Sequence, residues 1–378
     1  MANKIRNTRK PQNVLAKENA INRRITDDIL PRLPSFVARY DSFLDTENRS
    51  VKTREAYMKD ILAFFEYMTH DTGLSESDDP KGVTLEEISN LTGLAVNDYL
   101  TYTKRYEDPN GDEIQNGADS RARKRASIVG LLKFLYRQDL IDRDISEKIV
   151  SISLKESNSR AVKALQENEA LDLLDVVSTG NGLTDKQLQY WERTRYRDTL
   201  IISLFTLSGL RISELQQLNI SSFNMKREEF VIYRKRAKEA VMPMNRTLVQ
   251  AFNEYMEKDR KLCTDVAPGH EDALFLCLTA EARDTEGNLV PSGRKRLSER
   301  QIRALVHKYT AVVIGGDGYS PHKLRATAAT TAIRRGSDIS RVASLLDHDS
   351  IQTTKRYIKV TEEDKREVMA TMEAIDTD

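Results

Sequence analysis

Four segments in the second half of the chain carry residues suited to chemistry at a phosphate. In Gly209-Leu210-Arg211-Ile212-Ser213-Glu214-Leu215 an arginine follows an apolar helical stretch. In Arg234-Lys235-Arg236-Ala237-Lys238 a lysine lies near the tip of an expected hairpin. Ser320-Pro321-His322-Lys323-Leu324-Arg325 sets His322 and Arg325 on one face of the first turn of a helix. Unpaired backbone N–H groups and the positive end of the helix dipole make such a turn a ready anion site. The fourth segment, residues 345–357 (LLDHDSIQTTKRY), ends with His348 and Tyr357.

Singly, each segment has a plain structural reading: a salt-bridged arginine in a helix–turn–helix, a solvated basic turn, a tyrosine packed near a helix end. Together, two arginines, two histidines, a lysine and a tyrosine suit transesterification at a phosphodiester without a metal. Arginine forks pair with the non-bridging oxygens and stabilise the added charge of a pentacoordinate phosphorus. Tyrosine supplies a nucleophile whose ester conserves the bond energy, so rejoining needs no ATP. Histidine and lysine move protons. No carboxylate cluster stands where magnesium would be held, and neither a metal nor another cofactor is expected.

The elements that must position these residues read as mainly helical, in two domains, as a chain of 378 residues predicts. Residues 1–30 are polar and basic and read as a tail with room for one short helix. Residues 31–152 form a small all-helical domain. Thr53 is placed to cap a helix in which Tyr57, Ile61, Phe64, Phe65 and Met68 make one apolar stripe. Residues 91–106 suggest a second helix, and Ile128, Leu131, Leu132 and Leu135 a third, just after the RARKR cluster. Residues 108–117 (DPNGDEIQNG) are dense in turn formers. Residues 153–163 close the non-periodic stretch SISLKESNSRAVK and form the linker.

Residues 164–378 are the second domain. Helices are expected at 165–177 and 197–207, with Gly209 ending the latter in a left-handed turn. EFVIY (229–233) and AVMPM (240–244) read as a hairpin around the basic tip. Helices return at 247–257 and 298–309, and Ser320-Pro321 is a strong start signal for another.

Formal net charge is only +1, so the distribution of charge is more informative than its sum. Basic clusters occur in the N-terminal tail, in residues 121–125, 234–238 and 294–296. They make Arg121, Lys124, Arg125, Arg160, Lys163, Arg236, Lys238, Arg294 and Lys323 candidates for phosphate contacts, which position a protein on DNA without reading bases. No stretch approaches the roughly 18–20 apolar residues of a bilayer span, and no secretory signal precedes the first domain. Cys263 and Cys277 read as reduced core thiols. A cytoplasmic protein is expected, with no membrane partner.

GLRISEL, the RKRAKEAVMPM hairpin, PHKLR and LLDHDSIQTTKRYI occur in the order and at the spacing of the tyrosine recombinase (phage integrase) family, which residues 164–371 resemble closely. The resemblance implies that Arg211 and Arg325 clamp the scissile phosphate while His322 and His348 hydrogen-bond it and assist proton movement. Lys235 would protonate the 5′ oxygen, Tyr357 would form a 3′-phosphotyrosine, and Glu214 would support the first arginine. KTREAYMKDILAFFEYM and RARKRASIVGLLKFLYRQDLI are similar, less specifically, to the family's core-binding domain. By that likeness the two domains make a C-shaped clamp on duplex DNA. The catalytic domain carries a small antiparallel sheet.

Four positions depart from the family's pattern. Ala326 follows the second arginine where many members have histidine. Asp347 stands where glycine commonly precedes the second histidine, and aspartate tolerates a positive φ better than most residues. Arg234 and Arg236 replace glycines around Lys235, which leaves Lys235 and Lys238 both open as the acid, Pro243 aligning the former.

The resemblance implies stepwise strand exchange through a Holliday junction at a short inverted-repeat core site, by a homotetramer that is monomeric when free. An accessory protein is compatible with it. Two jobs fit, mobile-element integration or excision and Xer-type dimer resolution. The thirty polar residues ahead of the first helical domain are too few for a folded arm-binding module, and Val368, Met369 and Met372 have the spacing of a helix that packs into a neighbouring protomer. A type IB topoisomerase and a non-catalytic DNA-binding relative are the alternatives.

Overall fold

The computed structural model describes residues 11–70, 72–107, 111–153, 163–234, 238–279, 281–283, 289–347 and 354, without the side chains of 281–283 and 289. The chain divides into two compact units, Met1–Arg160 and Ala161–Asp378.

The first unit is helical: α1 Gln12–Arg23, α2 Ser35–Thr46, α3 Val51–Met68, α4 Leu85–Asn90, α5 Gly93–Tyr102 and α6 Ala118–Arg137, with a short hairpin of β1 Arg105–Glu107 and β2 Glu113–Gln115. Residues 12–29 of the segment expected to be a tail are helical, and part of them joins this core. α1 runs into a π-helical turn, Arg24–Ile29, and Ile21, Ile25 and Ile29 are buried with Tyr40, Met58 and Phe65. The four-residue spacing of these isoleucines is a helical stripe, but polar neighbours dilute it in sequence.

Two helix starts also differ. α3 begins at Val51, because Ser50, not Thr53, is the N-cap; its hydroxyl accepts from the Thr53 amide at 3.2 Å. The helix expected over 91–106 is confined to α5, since Thr92 caps it by accepting from the Ala95 amide, and the chain leaves it as a strand at Arg105. Thr84 and Glu87 make a reciprocal capping box on α4. The turn-rich 108–117 segment contributes β2, Ile114 facing Tyr106 across the pair.

The second unit begins with α7 Glu167–Thr179, α8 Asp185–Ser208 and α9 Ile212–Gln216. α8 starts twelve residues before the apolar run, at a Thr184–Gln187 capping box, its early turns being polar and so invisible to hydrophobic periodicity. A three-stranded antiparallel sheet follows, β3 Phe223–Asn224, β4 Glu229–Tyr233 and β5 Glu239–Pro243, with Val231 opposite Val241. Phe230, Ile232 and Met242 point into the core. Then come α10 Arg246–Lys258, the paired strands β6 Glu281–Arg283 and β7 Leu289–Pro291, and the helices α11 Glu299–Ile314, α12 Pro321–Arg334 and α13 Ile339–Leu346. Pro321 opens α12 as read from sequence, but the Ser320 side chain makes no capping bond.

The interior is apolar around Leu204, Phe205, Tyr255 and Val306. One polar cluster is set into it: Asp198 accepts from the Tyr309 hydroxyl at 2.8 Å and pairs with Arg197 at 2.8 Å. A buried charge survives only with such partners. Cys263 and Cys277 are free and partly buried. Among the described residues no helix is long and apolar enough to cross a membrane, and no group of histidine, cysteine and carboxylate side chains is arranged to hold a metal.

Candidate active site

The centre of the site is the C-terminal end of α13. The last carbonyls of a helix have no partner within it and carry its negative pole. Here three arginines from distant parts of the second unit supply the donors. Arg325, in the first turn of α12, donates to the Leu346 carbonyl and, at 2.7 Å, to that of Gly209. Arg211 donates to the Asp347 carbonyl at 3.1 Å. Arg234, at the end of β4, donates to the Leu345 carbonyl.

Local sequence explains how each arrives. Gly209 ends α8 in the left-handed conformation, φ 61°, and turns the chain so that Arg211 is the N-cap of α9. A Cβ at Gly209 would lie 2.7 Å from the Leu346 side chain, so the turn needs glycine for its backbone and for the approach of α13. Glu214, buried in the first turn of α9, accepts from the Arg211 amide at 2.7 Å and from its guanidinium at 2.8 Å, and lies 3.8 Å from Arg325. One carboxylate thus orients both arginines. Arg325 is 3% exposed while Arg211 is 36% exposed, so the first arginine is the one open to a ligand.

Asp347 ends α13 in the left-handed conformation, φ 51°, which aspartate tolerates better than most residues. Its carboxylate lies 3.1 Å from Lys238, 3.6 Å from Arg234 and 3.9 Å from Arg211. Burial raises this carboxyl, but the three cations outweigh it and hold it below the usual carboxylate range.

His322 is exposed on the first turn of α12, beside Lys323, whose ammonium sits 4.3 Å over the Tyr319 ring. Lys163 is exposed, Arg121 is partly buried in α6, and Arg294 pairs with Asp265 at 3.0 Å. Two expected phosphate contacts turn inward instead. Lys124 is buried 3.5 Å from Asp60, because its position in α6 faces α3. Arg125 donates to the Ile149 and Val150 carbonyls, both at 2.8 Å, and fastens the end of the first unit. Lys235, Arg236, Arg160, His348 and Tyr357 lie outside the described residues, as do Val368, Met369 and Met372.

Sequence reading did not assign a role to Arg234. A basic hairpin tip gives no sign that one of its cations is 6% exposed and bonded to a helix end. The double use of Glu214 was equally hidden, since only Arg211 is near it in sequence.

The phage integrase family model matches residues 163–364, more than half of the chain, and the chain belongs to that family. It is a tyrosine-type site-specific recombinase. It is 25% identical over 345 residues to the tyrosine recombinase XerC of Caldanaerobacter subterraneus, covering 89% of this chain and 86% of the relative. To the tyrosine recombinase XerC of Pelotomaculum thermopropionicum it is 26% identical over 324 residues, covering 85% and 92%. The fold is similar to that of the XerH site-specific recombinase in a post-cleavage complex with a palindromic difH substrate, with a TM-score of 0.61, 16% identity and 94% of each chain covered.

Proposed function

We propose that the protein cleaves and rejoins duplex DNA at a short inverted-repeat core site through a 3′-phosphotyrosine at Tyr357. The observation that carries this reading is the convergence of Arg211 and Arg325 on the Leu346–Asp347 backbone, directly before His348. Two guanidinium groups from separate segments are thereby held at one place by a shared carboxylate, as a phosphate clamp requires.

In the proposed step the Tyr357 oxygen attacks the scissile phosphorus, and its proton passes toward the histidines His322 and His348. The bond from phosphorus to the 5′ oxygen breaks, and a lysine protonates that oxygen. We assign the acid to Lys235, because Lys238 is already engaged by Asp347. Attack of a 5′ hydroxyl on the phosphotyrosine reverses the step, so no cofactor is consumed. Repeated on two strand pairs, the chemistry gives exchange through a Holliday junction within a homotetramer assembled from monomers, with an accessory protein compatible with the scheme.

The relatives are tyrosine recombinases named XerC; we assign an Xer-type dimer-resolution role in the cytoplasm, with mobile-element integration or excision as the other use of the same chemistry. Lys163, Lys323, Arg121 and Arg294 are the described residues we assign to backbone phosphates, together with Arg160 and Arg236 from the sequence.

The test is a library of nicked duplexes from the source genome, incubated with the protein in a chelator and resolved on denaturing gels. Protein–DNA adducts with the wild type and none with Tyr357→Phe are expected. Tight sequence-specific binding by both without any adduct would sink the reading in favour of a non-catalytic relative. Relaxation of supercoiled DNA without exchange between duplexes would favour a topoisomerase.

A further inference from the structure

Asp347 is one of the residues at which the chain departs from the family's pattern, and the structure gives it surroundings that a glycine could not use. Its backbone takes the left-handed conformation that ends α13. Its carboxylate faces cations from two other segments: Arg234 and Lys238, on the two sides of the β4–β5 turn, and Arg211 at the start of α9. Arg234 also donates to the Leu345 carbonyl, and its amide donates to the Lys238 carbonyl at 2.8 Å, closing the hairpin at that level. The turn end of the hairpin is therefore fixed to the end of α13 by one carboxylate and one guanidinium.

We propose that Asp347 is a positioning residue, a latch whose carboxylate ties the neck of the β4–β5 turn, Arg234 and Lys238, to the segment carrying the first arginine. The proposal rests on the recombinase reading for its consequence, since residues 235–237 at the hairpin tip include the lysine assigned as the acid. The latch gives a use to Arg234 in place of a glycine before Lys235. Arg234 and Lys238 are the cations that face the carboxylate, and an acid delivered from a fixed turn requires no flexible residue there. It also sets a cost, because a negative charge stands near a site that must accept a phosphate. Asp347 should thus favour the rate of the chemical step over the tightness of DNA binding.

The experiment uses the full chain with Asp347→Asn and Asp347→Gly, both of which tolerate a positive φ and spare the turn. Hydrogen exchange of peptides spanning residues 233–241 is measured without DNA. Adduct formation is then timed on a saturating nicked duplex, alongside the dissociation constant. Faster exchange in the hairpin is expected for both variants, with adduct formation slowed about tenfold to a hundredfold and DNA binding unchanged or tighter. Lys238→Ala should slow the wild type but add nothing to Asp347→Asn, as for two halves of one contact.

Unchanged exchange in the hairpin overturns the latch, whatever the activity. So does an unchanged rate in variants of an active wild type. If the wild type forms no adduct, the recombinase reading fails by itself, and the exchange experiment still decides whether the carboxylate holds the hairpin.

Discussion

Arg325 donates a hydrogen bond to the carbonyl of Gly209 at 2.7 Å, joining the first turn of α12 to the turn that ends α8. The same guanidinium reaches the Leu346 carbonyl at the end of α13. Three helices therefore depend on one buried cation, and this gives Arg325 two separable roles, in folding and in binding phosphate.

Arg325→Ala is expected to destabilise the second unit by about 2–4 kcal/mol, because the Gly209 carbonyl loses the Arg325 donor, the Leu346 carbonyl keeps only the longer bond from Arg211, and Glu214 keeps only Arg211. Arg325→Lys retains the charge but not the fork, so less stability should be lost while adduct formation falls by about a hundredfold or more. Urea denaturation and timed cleavage separate the two effects. Equal stability losses in both variants would show that charge geometry does not matter at this position.

Lys124 was a candidate for a phosphate contact on sequence grounds, and its burial against Asp60 reverses the prediction. Lys124→Met should leave the salt dependence of DNA binding unaltered, since no counterion is released at a buried ammonium. It should cost about 1–3 kcal/mol of stability, because Asp60 would keep only Arg123. The slope of log affinity against log salt, measured on specific and random duplexes, checks the first part. A flatter slope would restore Lys124 to the DNA interface.

Ile25 is fully buried in the π-helical turn following α1. Ile25→Ala is expected to destabilise the first unit by about 2–5 kcal/mol. A thermal melt unchanged by this substitution would mean that the segment is only loosely attached.

The ion pairs of Asp347 predict a pH dependence with a definite sign. Its folded pKa lies below the unfolded value, so its contribution to stability is complete above about pH 4–5, where the unfolded carboxyl is also ionised. That contribution is lost as the pH falls through the lowered folded value. The stability gap between wild type and Asp347→Asn should therefore be widest near neutral pH and close in acid. A gap that widens in acid would contradict the assignment of its partners.

Much of this architecture was legible because periodicity and punctuation agreed. Gly209 follows an apolar run, Pro321 follows a serine, and the strands of EFVIY and AVMPM flank a polar tip; each is a local signal, and each became the expected element. The misses have a common physical cause. Ile21, Ile25 and Ile29 pack against residues of α2 and α3, and the Lys124 ammonium turns inward because Asp60 waits there. Such partners are distant in sequence, so no window of neighbouring residues contains them. The same applies to the site. The arginines were found by their motifs, whereas the bonds from Arg234 and Arg325 to the end of α13 span 111 and 21 residues.

The start of the second unit is fastened to nearly its last described helices. The Leu165 amide donates to the Thr327 hydroxyl at 2.9 Å, Glu167 pairs with Arg335 at 2.5 Å, and Gln166 accepts from Arg334 at 2.9 Å. On the ribosome these contacts cannot form until residue 335 has left the exit tunnel. The first unit, whose core is complete by Ile149, can fold well before that. The nascent protein is thus expected to carry a finished amino-terminal half for roughly ten to forty seconds, at about 5–20 residues per second, while its catalytic half is still open to proteases and chaperones. Stalled chains ending near residues 200 and 370 would show this as protection of the first unit in both and of the second in the longer one alone.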